Sequence, residues 1–558
     1  MKKLAVSFLA GVMMVSSCTS IPSSGDVQSA EIDTALSNAD VDFLPPGPSA
    51  GASQEEIVQG FIAAGTAAQE NYRVARSYLA ENLLDVWNPN LSVAIRAGEP
   101  VVTTSSETSI VFTVPVIANV DEFGRYSSAD AATDQRLEFE LVQEAGEWRI
   151  SSAPEGIVLS EPAFGEAFSS YRLYYFSSGF RDLVADSRWF ASRGEVSTKI
   201  VRSLLEEPSF WLNQGATVSA FPEGSQLALT PIPVTDGVAQ VDLTTSVLGA
   251  DEATRARMLL QLSASLAQVQ GISSARLSVN QVELVIPPLD DESASLASGR
   301  DGRIAVLLDR RFGYVQAGRI EQLEGLSSQV ANVLPRSIFY SATFEQVAAT
   351  RFDGLWLVRQ GESAALIDER PDLIRPIIDS CGYIWSSTSL YSPEMVTIIS
   401  QNGQASPISI ELGDEAELVS FELARDNTRL LLLVQTATGV RVLLTAVERN
   451  EDCRPEVLGD FVELGPLSGS AVDAAWVDDS SVAVVVEDAL TGAGEVVVFD
   501  TNGRSTSLGR PTRPATLVST IGGVPGLRLL SDDGLIYQPR GNGWQGTGER
   551  AGVLATQR

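Results

Sequence analysis

The chain of 558 residues contains no histidine. That absence removes the Ser/His/Asp and Cys/His nucleophilic arrangements and the commonest zinc ligand. Lysine is nearly as scarce, with only Lys2, Lys3 and Lys199, so arginine carries the positive charge and lysine-based chemistry is disfavoured. The three cysteines, Cys18, Cys381 and Cys453, are too few for a thiolate metal cage. After Cys18 no stretch approaches the roughly 18 apolar residues that a membrane-spanning helix needs. Acidic residues outnumber basic ones by 71 to 39, a net charge of −32. Such a surface repels phosphate backbones and anionic headgroups, so no nucleic-acid partner is expected. No metal and no cofactor are expected either.

What is present begins at the first residues. Met1-Lys2-Lys3 is a positive start, and Leu4 to Val15 is a short, mostly apolar run, too short to cross a bilayer of about 30 Å. Val15-Ser16-Ser17 then leads directly into Cys18. A small pair before a cysteine at the end of such a run is what a bacterial lipobox requires. The expectation is a signal peptide over 1–17 and a mature chain starting at Cys18, carrying S-diacylglycerol and N-palmitoyl groups. The alternatives are a chance cysteine beside an ordinary cleavage site and an uncleaved anchor. Several acyl chains on one residue give a stable anchor where a single chain would not. The expected location is the extracytoplasmic face of the cell membrane.

Residues 18–51 are rich in Ser, Pro and acid and lack apolar periodicity, which predicts a flexible tether. Ser53 with Glu56 fits a capping box opening a helix, and a second helical pattern runs through Tyr72, Tyr78 and Leu79 towards Trp87. Beyond Pro89 the period changes to two: Arg136 to Leu141 alternates as a half-buried strand, and Glu144-Ala145-Gly146-Glu147 reads as a hairpin turn. The segment 52–160 is therefore expected to be an α+β domain. An aromatic connector over 161–194 follows, with Tyr174, Tyr175, Phe176 and Trp189 as candidates for docking one domain against the next. A second α+β domain is expected over 195–288, with helices at Val196–Leu205 and Asp251–Gln268. From 300 to 558 only short β runs appear, punctuated by Asp353-Gly354, Asp426-Asn427, Asp478-Asp479 and Asp532-Asp533-Gly534. At ~40–45 residues per four-stranded blade this length predicts a propeller of about six blades, with two packed sandwiches as the alternative.

Several of these stretches resemble one family. The lipobox, Gln54-Glu55-Glu56-Ile57-Val58-Gln59-Gly60-Phe61, Ala75-Arg76-Ser77-Tyr78-Leu79, and Leu173-Tyr174-Tyr175-Phe176 followed by Leu183-Val184-Ala185-Asp186-Ser187-Arg188 are similar to the actinobacterial lipoprotein LpqB family. Ala185 stands where that family usually has proline. Leu204 to Pro208, Ala220 to Gly224 and Gly237 to Leu243 resemble a GerMN domain. The resemblance implies a C-terminal propeller and a role as accessory lipoprotein to the Mtr sensor histidine kinase. In that role it would act on the kinase's extracytoplasmic domain and tune signalling linked to cell-wall homeostasis and division.

The candidate chemistry is sparse. Acidic residues at the blade turns could supply carboxylate catalysis or hold calcium, but Asp-Gly and Asp-Asn are also ordinary solutions for tight turns. Trp356, Trp385, Trp476 and Trp544 recur in the propeller segment, where packing between blades is the expected role and stacking on sugars the alternative. Cys381 and Cys453 form a disulfide in an oxidising compartment or remain buried free thiols. The expected function is regulatory binding without catalysis, to a sensor kinase and to the membrane through the lipid. A lipoprotein binding cell-wall glycan is the alternative.

Overall fold

The computed structural model describes residues 45–288, 302–413, 415–488 and 490–558. The signal peptide and lipobox, most of the tether, and residues 289–301 between the second domain and the propeller lie outside the described residues. Residues from Pro45 to Arg558 form one unit.

The first domain opens on the helix Gln54–Ala64. Ser53 Oγ accepts the Glu56 amide at 3.4 Å and Glu56 Oε2 accepts the Ser53 amide at 2.8 Å, so two otherwise orphaned donors are satisfied reciprocally. Its buried face of Ile57, Val58, Phe61 and Ala64 lies on a sheet whose strands run in the order Glu147–Ser152, Tyr126–Glu144, Ser109–Asp121, Ser92–Arg96, Ile157–Ser160. Leu137, Phe139 and Leu141 point into the core while their neighbours face out, as the alternation predicts. At the turn, Ala145 and Gly146 both have positive φ, which matches the right-handed twist of the flanking strands. The second helix is shorter than its pattern suggests. It spans Gln69–Arg76, and Ala80 then donates its amide to Ile150 O at 2.8 Å, a sheet-edge contact that ends the helical run.

The second domain begins earlier than the apolar periodicity indicates. Residues 161–194 are not a connector: Phe168–Ser177 and Leu183–Ala191 pair as an antiparallel hairpin. Leu173, Tyr174, Tyr175, Phe176 and Leu183 enter the same core as the helices Val196–Leu204 and Glu252–Leu266. Asp251 caps the second of these, accepting the Thr254 amide at 2.7 Å. That helix joins Val238–Leu243 to Ser274–Val279, which pair in parallel. The reason for the missed boundary is physical. All nine residues of Leu183–Ala191 are buried, so the strand has no solvent face and no alternation to read.

The described part of the C-terminal region contains six sheets of four or five strands, one per blade of a propeller. Val553–Leu554 returns to pair antiparallel with Ile304–Leu308 of the first blade, and Thr556–Gln557 pairs with Ser337–Ser341 of the second. This return of the C-terminus to the first two blades closes the ring and decides against two sandwiches.

Candidate functional site

The hairpin Phe168–Ala191 is where the three modules meet. Its strand Leu183–Ala191 carries Asp186 and Arg188 two residues apart on one face, paired at 2.6 Å and almost wholly buried. Arg188 also donates to Phe123 O of the first domain at 3.2 Å, and Asp186 accepts both the amide and the hydroxyl of Ser209, each at 2.7 Å. Trp189 packs with Phe164 and Tyr126 in the first domain's core and donates its amide to Gly124 O at 2.8 Å. Gly124 has φ +79°, and a Cβ there would come within 2.8 Å of Trp189 O, so only glycine fits this approach.

The same strand also meets the propeller. Val184 packs among residues of the fourth and fifth blades. Ser187 and Thr501 share a hydroxyl hydrogen bond of 2.9 Å, and Arg429 donates to Ala185 O at 3.0 Å. A cavity of about 330 Å³ remains where the modules converge, walled by Tyr126, Asp186, Ser209, Trp211, Glu463 and Asn502.

The residues singled out in sequence fall into three groups. Tyr174, Tyr175 and Phe176 pack inside the second domain, whereas Trp189 joins the first domain's cluster, so one hairpin anchors both. Cys381 and Cys453 are joined in a disulfide, Cα atoms 6.2 Å apart, tying the third blade to the fourth. Arg181 at the hairpin tip reaches this bridge, donating to Glu451 O at 3.1 Å. Beneath it Arg449 donates to Cys453 O and to Asp379 Oδ2, both at 2.8 Å. Burial, with Asp426 nearby, pushes the Asp182 carboxyl at this tip up to about 6. Cys18, Val15, Ser16 and Ser17 lie outside the described residues.

The blade-turn acids act as turn formers. Asp426 Oδ1 accepts the Thr428 amide, Asp478 Oδ1 the Ser480 amide and Asp533 Oδ1 the Leu535 amide, at 2.9, 2.8 and 3.1 Å. Trp385 and Trp476 are buried, each with its indole N–H donating inside the propeller, to Asp379 and to Glu422 O. Trp356 differs: it is half-buried and lines an open groove on the second blade. Sequence reasoning passed over the Asp/Arg pairs. Their signal is the spacing of two, seen within a strand at Asp186/Arg188, where it puts both side chains on one side of extended backbone, across a turn at Arg351/Asp353 and at a strand end at Asp368/Arg370.

Three family models match this chain in order. One is described as the N-terminal domain of lipoprotein LpqB, over residues 47–165. A second, described as sporulation and spore germination, matches 172–285, and the lipoprotein LpqB beta-propeller domain matches 308–553. The match over 172–285 takes in the hairpin from its fifth residue pair, Arg172 with Ser187, onward, consistent with its place in that core. Lipoprotein LpqB of Cutibacterium acnes is 25% identical over 95% of this chain and 94% of its own length. The Streptomyces avermitilis protein of that name is 24% identical over 96% and 95%. Among solved structures, the first GerMN domain of the sporulation protein GerM from Bacillus subtilis is similar, at 14% identity and a TM-score of 0.19, covering 23% of this chain and 97% of that one.

Proposed function

We propose, on the premise that the chain belongs to the LpqB family of actinobacterial lipoproteins, that it regulates a membrane sensor histidine kinase, that of the Mtr system, by binding its extracytoplasmic domain. The observation that carries this reading is the joint around Leu183–Ala191, where one fully buried strand bonds to all three modules. A body built in this way presents fixed surfaces from three modules to one partner, so little order has to be imposed on binding. It acts by binding and not by turnover, and the blade-turn carboxylates of Asp426, Asp478 and Asp533 are committed to backbone amides.

Lipidation of Cys18 would hold this body at the membrane, beside the kinase's outer domain. The net charge of −32 keeps the body itself off anionic headgroups, so the lipid would supply the attachment. Crosslinking mass spectrometry on native membranes is expected to join this protein to the kinase's extracytoplasmic domain. Cys18→Ala is expected to release a folded body into the soluble fraction and to abolish its effect on kinase phosphorylation. Unchanged phosphorylation on deletion of the protein, with no crosslink to the kinase, refutes the reading.

A further inference from the structure

We propose that the groove on the second blade binds a neutral saccharide chain. It is open, about 640 Å³ in volume, and runs between the helix Ser327–Val333 and the strand Gly354–Arg359 with the loop that follows. That volume lies within the ~300–1,000 Å³ of small-molecule sites. Trp356 packs on one side against the core shared by the first two blades and on another lines the groove. Ser328, Asn332 and Ser363 stand exposed around it. An indole surface surrounded by hydroxyl and carboxamide groups suits a sugar ring, whose C–H face lies on the aromatic while its hydroxyls reach the rim.

The indole is held in place before any ligand arrives. Its N–H donates to Asp353 Oδ1 at 3.1 Å, and the same carboxylate accepts from Arg351 through Nε at 2.6 Å and through Nη2. The guanidinium lies 5.1 Å from the centre of the Trp356 six- and five-membered ring system and 4.9 Å from the Phe352 ring. Phe352, whose ring lies against the same guanidinium, is 68% exposed. Leu334, directly after the groove-lining Val333, is 62% exposed and closes the helix in the left-handed capping conformation at φ +55°.

The charges and the backbone narrow the ligand class. Arg351 is neutralised by Asp353, and Glu362 at the rim is paired with Arg359 at 3.6 Å. No unpaired cation among the described lining residues awaits a phosphate or carboxylate, and the net charge of −32 repels polyanions. A peptide adding as a strand would need a free edge on Gly354–Arg359. Both its edges are taken, by Gln346–Arg351 and Ala365–Asp368. The inference stands independently of the kinase reading.

The test uses the full-length protein in detergent, titrated with chitotetraose, with cellotetraose and with an anionic tetragalacturonate, followed by calorimetry and tryptophan emission. Saturable binding of a neutral tetrasaccharide is expected, weakened about tenfold or more by Trp356→Ala and more modestly by Phe352→Ala. Because Trp356 also packs against the core, Ser328→Trp, which obstructs the groove from an exposed position, is the second variant and is expected to abolish binding. Retention on purified cell wall that the tetrasaccharide competes away identifies wall polymer as the source of the ligand; soluble binding without retention identifies free oligosaccharide. Absence of saturable binding by either neutral sugar, tighter binding of the anionic one, saturable binding of an extended peptide that the sugars do not displace, or equal affinity in all variants overturns the proposal.

Discussion

Arginine does in this protein what lysine could not. Arg429 is 1% exposed and uses its whole planar head: Nε donates to Asp426 at 2.7 Å, and Nη1 donates to Ala185 O at 3.0 Å and to Asp479 O at 2.6 Å. The guanidinium also lies 4.8 Å from the centre of the Trp476 ring. Within the propeller Arg375 donates to Asp473 of the fifth blade through two bonds of 2.8 and 2.7 Å, and Asp473 in turn accepts Ser420 Oγ and the Leu517 amide from two other blades. An ammonium is a compact, strongly hydrated point charge that cannot serve several directions in one plane. Buried multidirectional sites of this kind give a physical account of a chain with three lysines among 39 basic residues. Arg429→Met is expected to cost about 3–5 kcal/mol of unfolding free energy by leaving Asp426 buried and unpaired. Arg429→Lys is expected to recover less than half of that loss. Urea unfolding of the three proteins checks it, and a lysine variant as stable as the parent would refute the account.

At the scale of elements, the features legible in sequence are those set by local chemistry. The Ser53/Glu56 capping box, the Leu137/Phe139/Leu141 alternation and the helix opening at Asp251 all stand where the residues indicate, because each depends on neighbours within a few positions. The Phe168–Ala191 hairpin was not legible as a hairpin. Buried on one side by the second domain and on the other by the propeller, its second strand lost the polar face that marks a strand, and its aromatic density looked like a linker. The site around Trp356 was half legible: the tryptophan stood out, but its clamp by Asp353 needed the turn at Phe352-Asp353 to fold the two side chains together. The Cys381–Cys453 pairing was likewise an open alternative, since 72 residues separate the cysteines and only blade packing brings them to 6.2 Å. Closing a loop of that length stabilises by roughly 4 kcal/mol in the chain-entropy account. Cys381→Ser with Cys453→Ser is therefore expected to lower the unfolding midpoint, and also to raise proteolytic cleavage within Ser177–Leu183, whose Arg181 bonds to the bridged turn. A lowered midpoint with unchanged cleavage there would show that the bridge braces the blades alone.

For the molecule as a whole, the junctions between modules place ionisable groups where water is scarce. Asp182 lies at the hairpin tip against the propeller and is pushed up to about 6 by burial, then by Asp426, with Arg558, Arg449 and Arg181 opposing. Asp500, next to the Thr501 that meets Ser187, is raised to about 6 by burial and by Asp478 against Arg504. Both lie above the ordinary aspartate value of 3.8, so between roughly pH 4 and 6 the folded state holds protons that the unfolded chain has released. Stability from these two groups must then fall as pH rises through that window and level off above it, the reverse of an ion-paired carboxylate. Each shift of about two units corresponds to up to ~3 kcal/mol, reduced by residual solvent at the joint. Asp182→Asn and Asp500→Asn together are expected to raise stability at pH 7–8 by about 2 kcal/mol or more, while leaving it little changed near pH 4. Denaturant unfolding of parent and double variant across pH 4–8 isolates this contribution, since every other carboxylate is common to both. A constant difference at all pH values would mean that the two joints tolerate the charges, and that the modules are held together without this cost.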